Sequence, residues 1–161
     1  MRQPRPELNR KLVSLLLIVG GIAGVAIALW SELQFLQTQA AANRAAALMD
    51  AFALIFGACT WTGVELWRKK PAAYRWAQIL LIAQIPNISF AGFAYYFYTG
   101  FTLYLSLNTM PSVLMGFQFE LGSAMKIAIS SEIEGFTFGL NLAAIAALYL
   151  LGKSRTTAER E

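Results

Sequence analysis

The sequence predicts a membrane all-α bundle of four transmembrane helices, with both termini cytoplasmic and a small antiparallel β insert outside the membrane between helices 3 and 4. Three observations predict it. Apolar residues make up 57% of the 161-residue chain and charged residues only 14%, which leaves too little polar surface for a water-soluble domain of this size. The cations are confined: Arg2, Arg5, Arg10 and Lys11 precede the first apolar run, Arg68, Lys69, Lys70 and Arg75 separate the second from the third, and Lys153, Arg155 and Arg160 follow the last. Beyond residue 100 the pattern changes from continuous apolar runs to strict alternation, the period of a strand with two unlike faces.

Residues 1–11 are a basic cytoplasmic N-terminus, and 12–30 are the first span. Its 19 residues reach about 28 Å at 1.5 Å per residue, enough for the hydrocarbon core. Gly20, Gly24 and Ala28 recur at four-residue spacing, a pattern that lets two helices approach closely. A cleaved signal peptide is the rival reading, because a basic start and Ala26-Ile27-Ala28 resemble its regions, but the apolar run exceeds a usual signal core. Residues 31–47 form an outer loop rich in Ala and Gln, without Gly or Pro, that continues as helix beyond the bilayer.

Residues 48–67 are the second span, 68–75 a cytoplasmic loop, 76–98 the third span, 135–152 the fourth, and 153–161 a cytoplasmic tail. Basic flanks remain on the cytoplasmic side. Arg44 and Lys126 instead sit among Glu32, Asp50, Glu120, Glu132 and Glu134, which places those segments outside. Trp30, Trp67, Trp76 and the Tyr95–Tyr98 cluster mark the interfaces.

The outer insert covers 99–134. Phe101, Leu103, Leu105 and Leu107 alternate with Thr102, Tyr104, Ser106 and Asn108; Met115, Phe117, Phe119 and Leu121 alternate with Gly116, Gln118, Glu120 and Gly122; Met125, Ile127 and Ile129 alternate with Lys126, Ala128 and Ser130. Three half-buried strands follow, with turns at Asn108–Ser112, containing Pro111, and at Gly122–Ala124. Pairing Leu121 with Met125 and Phe119 with Ile127 puts apolar residues on one face and sets Glu120 opposite Lys126, worth roughly 0.2–1 kcal/mol.

The candidate site residues are few. Asp50 and Glu65 lie near the bilayer boundaries, where carboxylates are costly; Glu65 has Arg68 and Lys69 as ready partners, and Asp50 sits in a first helical turn that favours negative charge. Gln84, Asn87 and Ser89 surround Pro86, which should kink the third helix. They line a cavity, or they satisfy the carbonyl freed by the proline and bond neighbouring helices. Phe117, Phe119, Glu120 and Lys126 are the candidate partner-binding residues of the insert.

Function classes are limited by what is missing. With no histidine and a single cysteine, Cys59, the chain has almost no ligands for zinc or haem, and no metal or cofactor is expected. The formal charge of +4 arises from residues between spans, not from a basic patch interleaved with aromatics, which argues against nucleic acid. No nucleophile, base and oxyanion donors converge in the sequence, so catalysis is not expected. The leading expectation is a small non-enzymatic protein of a bacterial inner membrane. It is an accessory or interaction protein using its insert and helix faces to bind a protein partner or further copies of itself within membrane lipid. The alternative is a small oligomeric transporter or channel with a polar path near Gln84 and Asn87.

Overall fold

The computed structural model describes residues 6–37, 42–109, 114–129 and 135–158. Arg2, Arg5, Pro111, Glu132, Glu134 and Arg160 lie outside the described residues, as do the side chains of Arg44 and Arg155. Helix α1 spans Pro6–Gln37, α2 Ala42–Trp67 and α3 Pro71–Ala83. Six strands follow: β1 Pro86–Phe90, β2 Phe93–Tyr98, β3 Phe101–Asn108, β4 Leu114–Leu121, β5 Ala124–Ile129 and β6 Thr137–Asn141. Helix α4, Leu142–Ala158, is the last described element.

Two helical stretches, Glu7–Gln34 and Leu48–Trp67, are long and apolar enough to cross a membrane. They pair through small residues. A Cβ on Gly21 would strike the Thr60 side chain and the Phe56 carbonyl, and one on Gly24 would strike the Phe56 ring. Ala28 is buried on the same helix, and Ser14 Oγ donates to the Gly63 carbonyl. Close backbone approach of this kind is how helices associate in lipid, where no hydrophobic force drives them together.

The other two predicted spans do not exist, and the four-span bundle is thereby corrected. The run 76–98 breaks at Gln84, the C-cap of α3, because Pro86 has no amide hydrogen for a helical bond. Aromatic and β-branched residues then favour strand, and β1 and β2 fold back on each other around Gly92, whose φ is +84°. In the run 135–152, Thr137, Gly139 and Asn141 alternate with Phe138 and Leu140 as strand β6, and helix starts only at Leu142. With 13 residues in α3 and 17 in α4, these helices reach about 20 Å and 26 Å.

The β portion is likewise larger than the predicted insert of 99–134. It is one six-stranded antiparallel sheet with strand order β4-β3-β6-β1-β2-β5. Strands β4 and β5 do not form the predicted hairpin: β4 pairs with β3, placing Phe119 opposite Leu103, and β5 pairs with β2, placing Lys126 opposite Tyr96.

This order forces a shape. Strands β4 and β5 occupy opposite edges, about 24 Å apart in a flat six-stranded sheet, yet only Gly122 and Ser123 connect them, which can bridge at most about 11 Å. The sheet must curl until its edges meet at that end. The β2–β3 link, Thr99–Gly100, crosses the same end, and Gly122 N–H donates to the Gly100 carbonyl at 2.9 Å. The result is a cup, closed at a base of two short turns.

The base docks on the middle of α1. Gly20 faces the backbone of Thr99 and Gly100, Ser123 Oγ donates to the Gly20 carbonyl at 2.6 Å, and Gly100 N–H donates to Ser123 Oγ at 3.1 Å. Below the base, α3 and α4 pack on the lower halves of α1 and α2 around Leu17, Leu66, Leu81 and Leu151, all buried. The start of α1 and the α2–α3 loop share one side: Arg10 Nη1 donates to the carbonyls of Leu66 and Trp67, both at 2.9 Å. Glu65 pairs with Arg68 and Lys70 at 3.5 Å each. The end of α4 lies there too, since Leu150 borders the same cleft as Leu12 and Val13.

Candidate functional site: the polar cup

The two faces of the sheet differ sharply. A cavity of about 310 Å3 inside the cup is lined by Asn87, Ser89, Tyr96, Tyr104, Gln118, Glu120, Lys126 and Thr137, among others. The opposite face carries Phe101, Leu103, Leu105, Met115, Phe117, Phe119, Leu121 and Ile127. Phe117 is 71% exposed and Leu121 76% exposed. Polar residues point in and apolar residues point out, the reverse of a water-soluble sheet and the pattern of strands that face lipid.

Inside the cup, Glu120 and Lys126 share the cavity but form no ion pair; Gln118 Nε2 donates to Glu120 Oε1. Tyr98 and Tyr104 meet edge to face with centroids 6.2 Å apart, and Tyr96 stacks on Tyr98 at 6.4 Å. Aromatic walls with a few polar groups are the ordinary makeup of a small-molecule site.

Two buried amides, Gln84 and Asn141, lie beneath the residues that line the cavity. Gln84 caps α3 and accepts from Thr99 N–H at 3.0 Å and Thr99 Oγ1 at 3.1 Å. Asn141 ends β6 and accepts from Ala143 N–H at 3.1 Å and Ala144 N–H at 3.3 Å, which caps the first turn of α4. Loss of that cap in Asn141→Ala should lower stability by about 1 kcal/mol, whereas Asn141→Asp keeps the accepting oxygen; thermal unfolding of both variants in one detergent checks the difference.

The predicted site residues scatter. Gln84 is 2% exposed at the base, and Asn87, Glu120 and Lys126 line the cavity. Phe117 and Phe119 lie on the outer face, and Asp50 is exposed on α2. Gly24 and Ala28 belong to α1, and Gly20 serves the sheet instead of another helix. Sequence reasoning overlooked Thr99, Thr102, Tyr104 and Asn141 as site residues. For Thr102 and Tyr104 the signal was the polar half of an alternating run, which reads as solvent-facing until the curl is known; Asn141 was hidden in the expected fourth span, 135–152.

The described residues contain no cluster of His, Cys, Asp and Glu that could hold a metal ion. A second cavity of about 570 Å3, apolar throughout, lies between α1, β3 and α4, lined by Leu16, Phe101, Leu103, Leu142 and Leu150 among others. No family model matches this chain, and neither does any curated protein or solved structure.

Proposed function

We propose that this is a non-enzymatic, multi-pass membrane protein, held in a bacterial inner membrane by the α1–α2 hairpin, whose sheet takes a hydrophilic ligand into its cup while its outer face meets lipid. The observation that carries this reading is the reversed polarity of the sheet. An apolar exterior with Phe117 and Leu121 exposed is stable against hydrocarbon and unstable against water. The base touches Gly20, midway along the first span, so the lower strands lie at bilayer depth. There the edges β4 and β5 are joined by Gly122–Ser123, which limits the unpaired backbone that lipid would otherwise penalise.

Accessibility tests it. Cys59 is the one native thiol; in a Cys59→Ser background, Lys126→Cys in proteoliposomes should react with a membrane-impermeant maleimide, and Phe117→Cys should not. Protection at Lys126→Cys would refute the polar cup. A second reading, docking of a partner protein on the outer face of β4, is favoured by the exposure of Met115 and Phe119, 72% and 60%. Ready labelling of Phe117→Cys in proteoliposomes of the pure protein would favour that second reading.

A further inference from the structure

The amide groups at the base of the cup have fixed orientations. Gln84 Oε1 is committed to the backbone N–H and the hydroxyl of Thr99, and Asn141 Oδ1 to the N–H groups of Ala143 and Ala144. Turning either amide over would set an NH2 group against an N–H donor. The two nitrogens therefore point the other way, and both Gln84 Nε2 and Asn141 Nδ2 are buried without a hydrogen-bond partner. Gln84 is 2% exposed and Asn141 1%.

Two hydroxyls join them. Thr102 Oγ1 and Tyr104 Oη are buried, 0% and 2% exposed by residue, and lie near one another, yet neither makes a hydrogen bond of acceptable geometry. The four groups share one region: Tyr104 pairs across the ladder with Asn141, Asn141 N–H donates to the Ile85 carbonyl beside Gln84 at 2.8 Å, and Thr102 is two residues below Tyr104 on the same face of β3. Two of these groups can only donate and the other two can donate. A buried donor left unpaired is costly, so the cluster calls for an acceptor.

We infer that the base of the cup binds a carboxylate group of the ligand, received by Gln84 Nε2, Asn141 Nδ2 and the hydroxyls of Thr102 and Tyr104. The inference rests on the reading of the cup as a binding site. Two further features bear on the charge of that group, the first favouring any anion and the second a monoanion over a dianion. The first turn of α4, capped by Asn141, adds the positive end of a helix dipole beside the donors. Glu120 in the same cavity opposes a phosphate dianion but tolerates a monoanion, above all one whose molecule also carries an ammonium group. Lys126 completes the balance of one acid and one base on the wall.

The test is a titration of the full-length protein in detergent micelles, carrying 15N in its Asn and Gln side chains. Sodium acetate and L-alanine are the carboxylate probes; choline chloride at equal ionic strength is the control. Acetate and alanine should shift the Gln84 and Asn141 side-chain resonances saturably, and choline chloride should not. Gln84→Glu and Asn141→Asp keep the oxygens that accept from Thr99 and from α4, and replace each donor by an anionic oxygen. Each should weaken acetate binding by at least about tenfold. The inference is overturned if the wild-type resonances show no saturable response to either carboxylate, or if both variants bind acetate as the wild type does. A saturable response to choline alone would overturn the carboxylate site and keep the cup. An unreactive Lys126→Cys would remove the cup itself.

Discussion

Gly20→Leu should lift the base of the cup off α1 and cost about 3 kcal/mol or more. A Cβ at this position would meet the amide nitrogen of Gly100 and the carbonyl carbon of Thr99. Both are backbone atoms of a turn that also holds the Gln84 and Ser123 hydrogen bonds, so no side chain can swing aside to make room. Overpacking of this sort costs about 1–3 kcal/mol even where side chains can adjust, and more where they cannot. For a chain of this length, about 3 kcal/mol corresponds to a fall in the unfolding midpoint on the order of 10 °C. Gly57→Leu is the control, because a Cβ there meets nothing within 4 Å. Thermal unfolding of both variants in the same detergent checks the contact, and equal stability would mean that the turn does not seat on α1.

Arg10→Ala should be nearly as damaging, at about 3 kcal/mol, although arginine near a membrane boundary is usually an orientation signal alone. Here the residue is 4% exposed. Its guanidinium closes the C-terminus of α2 by donating to Leu66 and Trp67 carbonyls, where the helix dipole also favours a cation. Hydrogen bonds from charged groups contribute about 1.5–3 kcal/mol each. Neighbouring Lys11 has the same charge and an equally long ion pair with Glu7, 3.6 Å, but its side chain is 43% exposed. Lys11→Ala should therefore cost less than about 1 kcal/mol. Arg10→Lys should recover only part of the loss, since an ammonium lacks the rigid fork that serves two carbonyls at once. A loss at Lys11 as large as that at Arg10 would show that charge near the bilayer, not capping, is what matters.

The two membrane-length helices were legible because each is set by its own residues: the apolar runs 12–30 and 48–67 are long enough to match a hydrocarbon core without help from the rest of the chain. The alternating runs were legible for the same local reason, and β3, β4 and β5 cover them. The run 76–98 was not. The last eight residues of α3 followed by two short strands present nearly the same apolar content as one long helix, and only Pro86 and Gly92 mark the difference. Of the site, Gln84, Asn87, Glu120 and Lys126 were visible as polar residues in apolar surroundings, whereas Thr102 and Tyr104 looked like the solvent side of an ordinary strand and Asn141 lay within the expected fourth span, 135–152.

By itself the sequence determined two membrane-length helices, the placing of basic residues on one side of them, and the period-2 patterning from residue 101 onward. Only the tertiary structure decided which strands pair and which face is inside. Strand β1 finds β6 some fifty residues later, and β5 pairs with β2 across the sheet instead of with β4, which precedes it in the chain. Alternation fixes that a strand has two unlike faces; the curl imposed by two-residue links between distant strands selects the polar face as the interior.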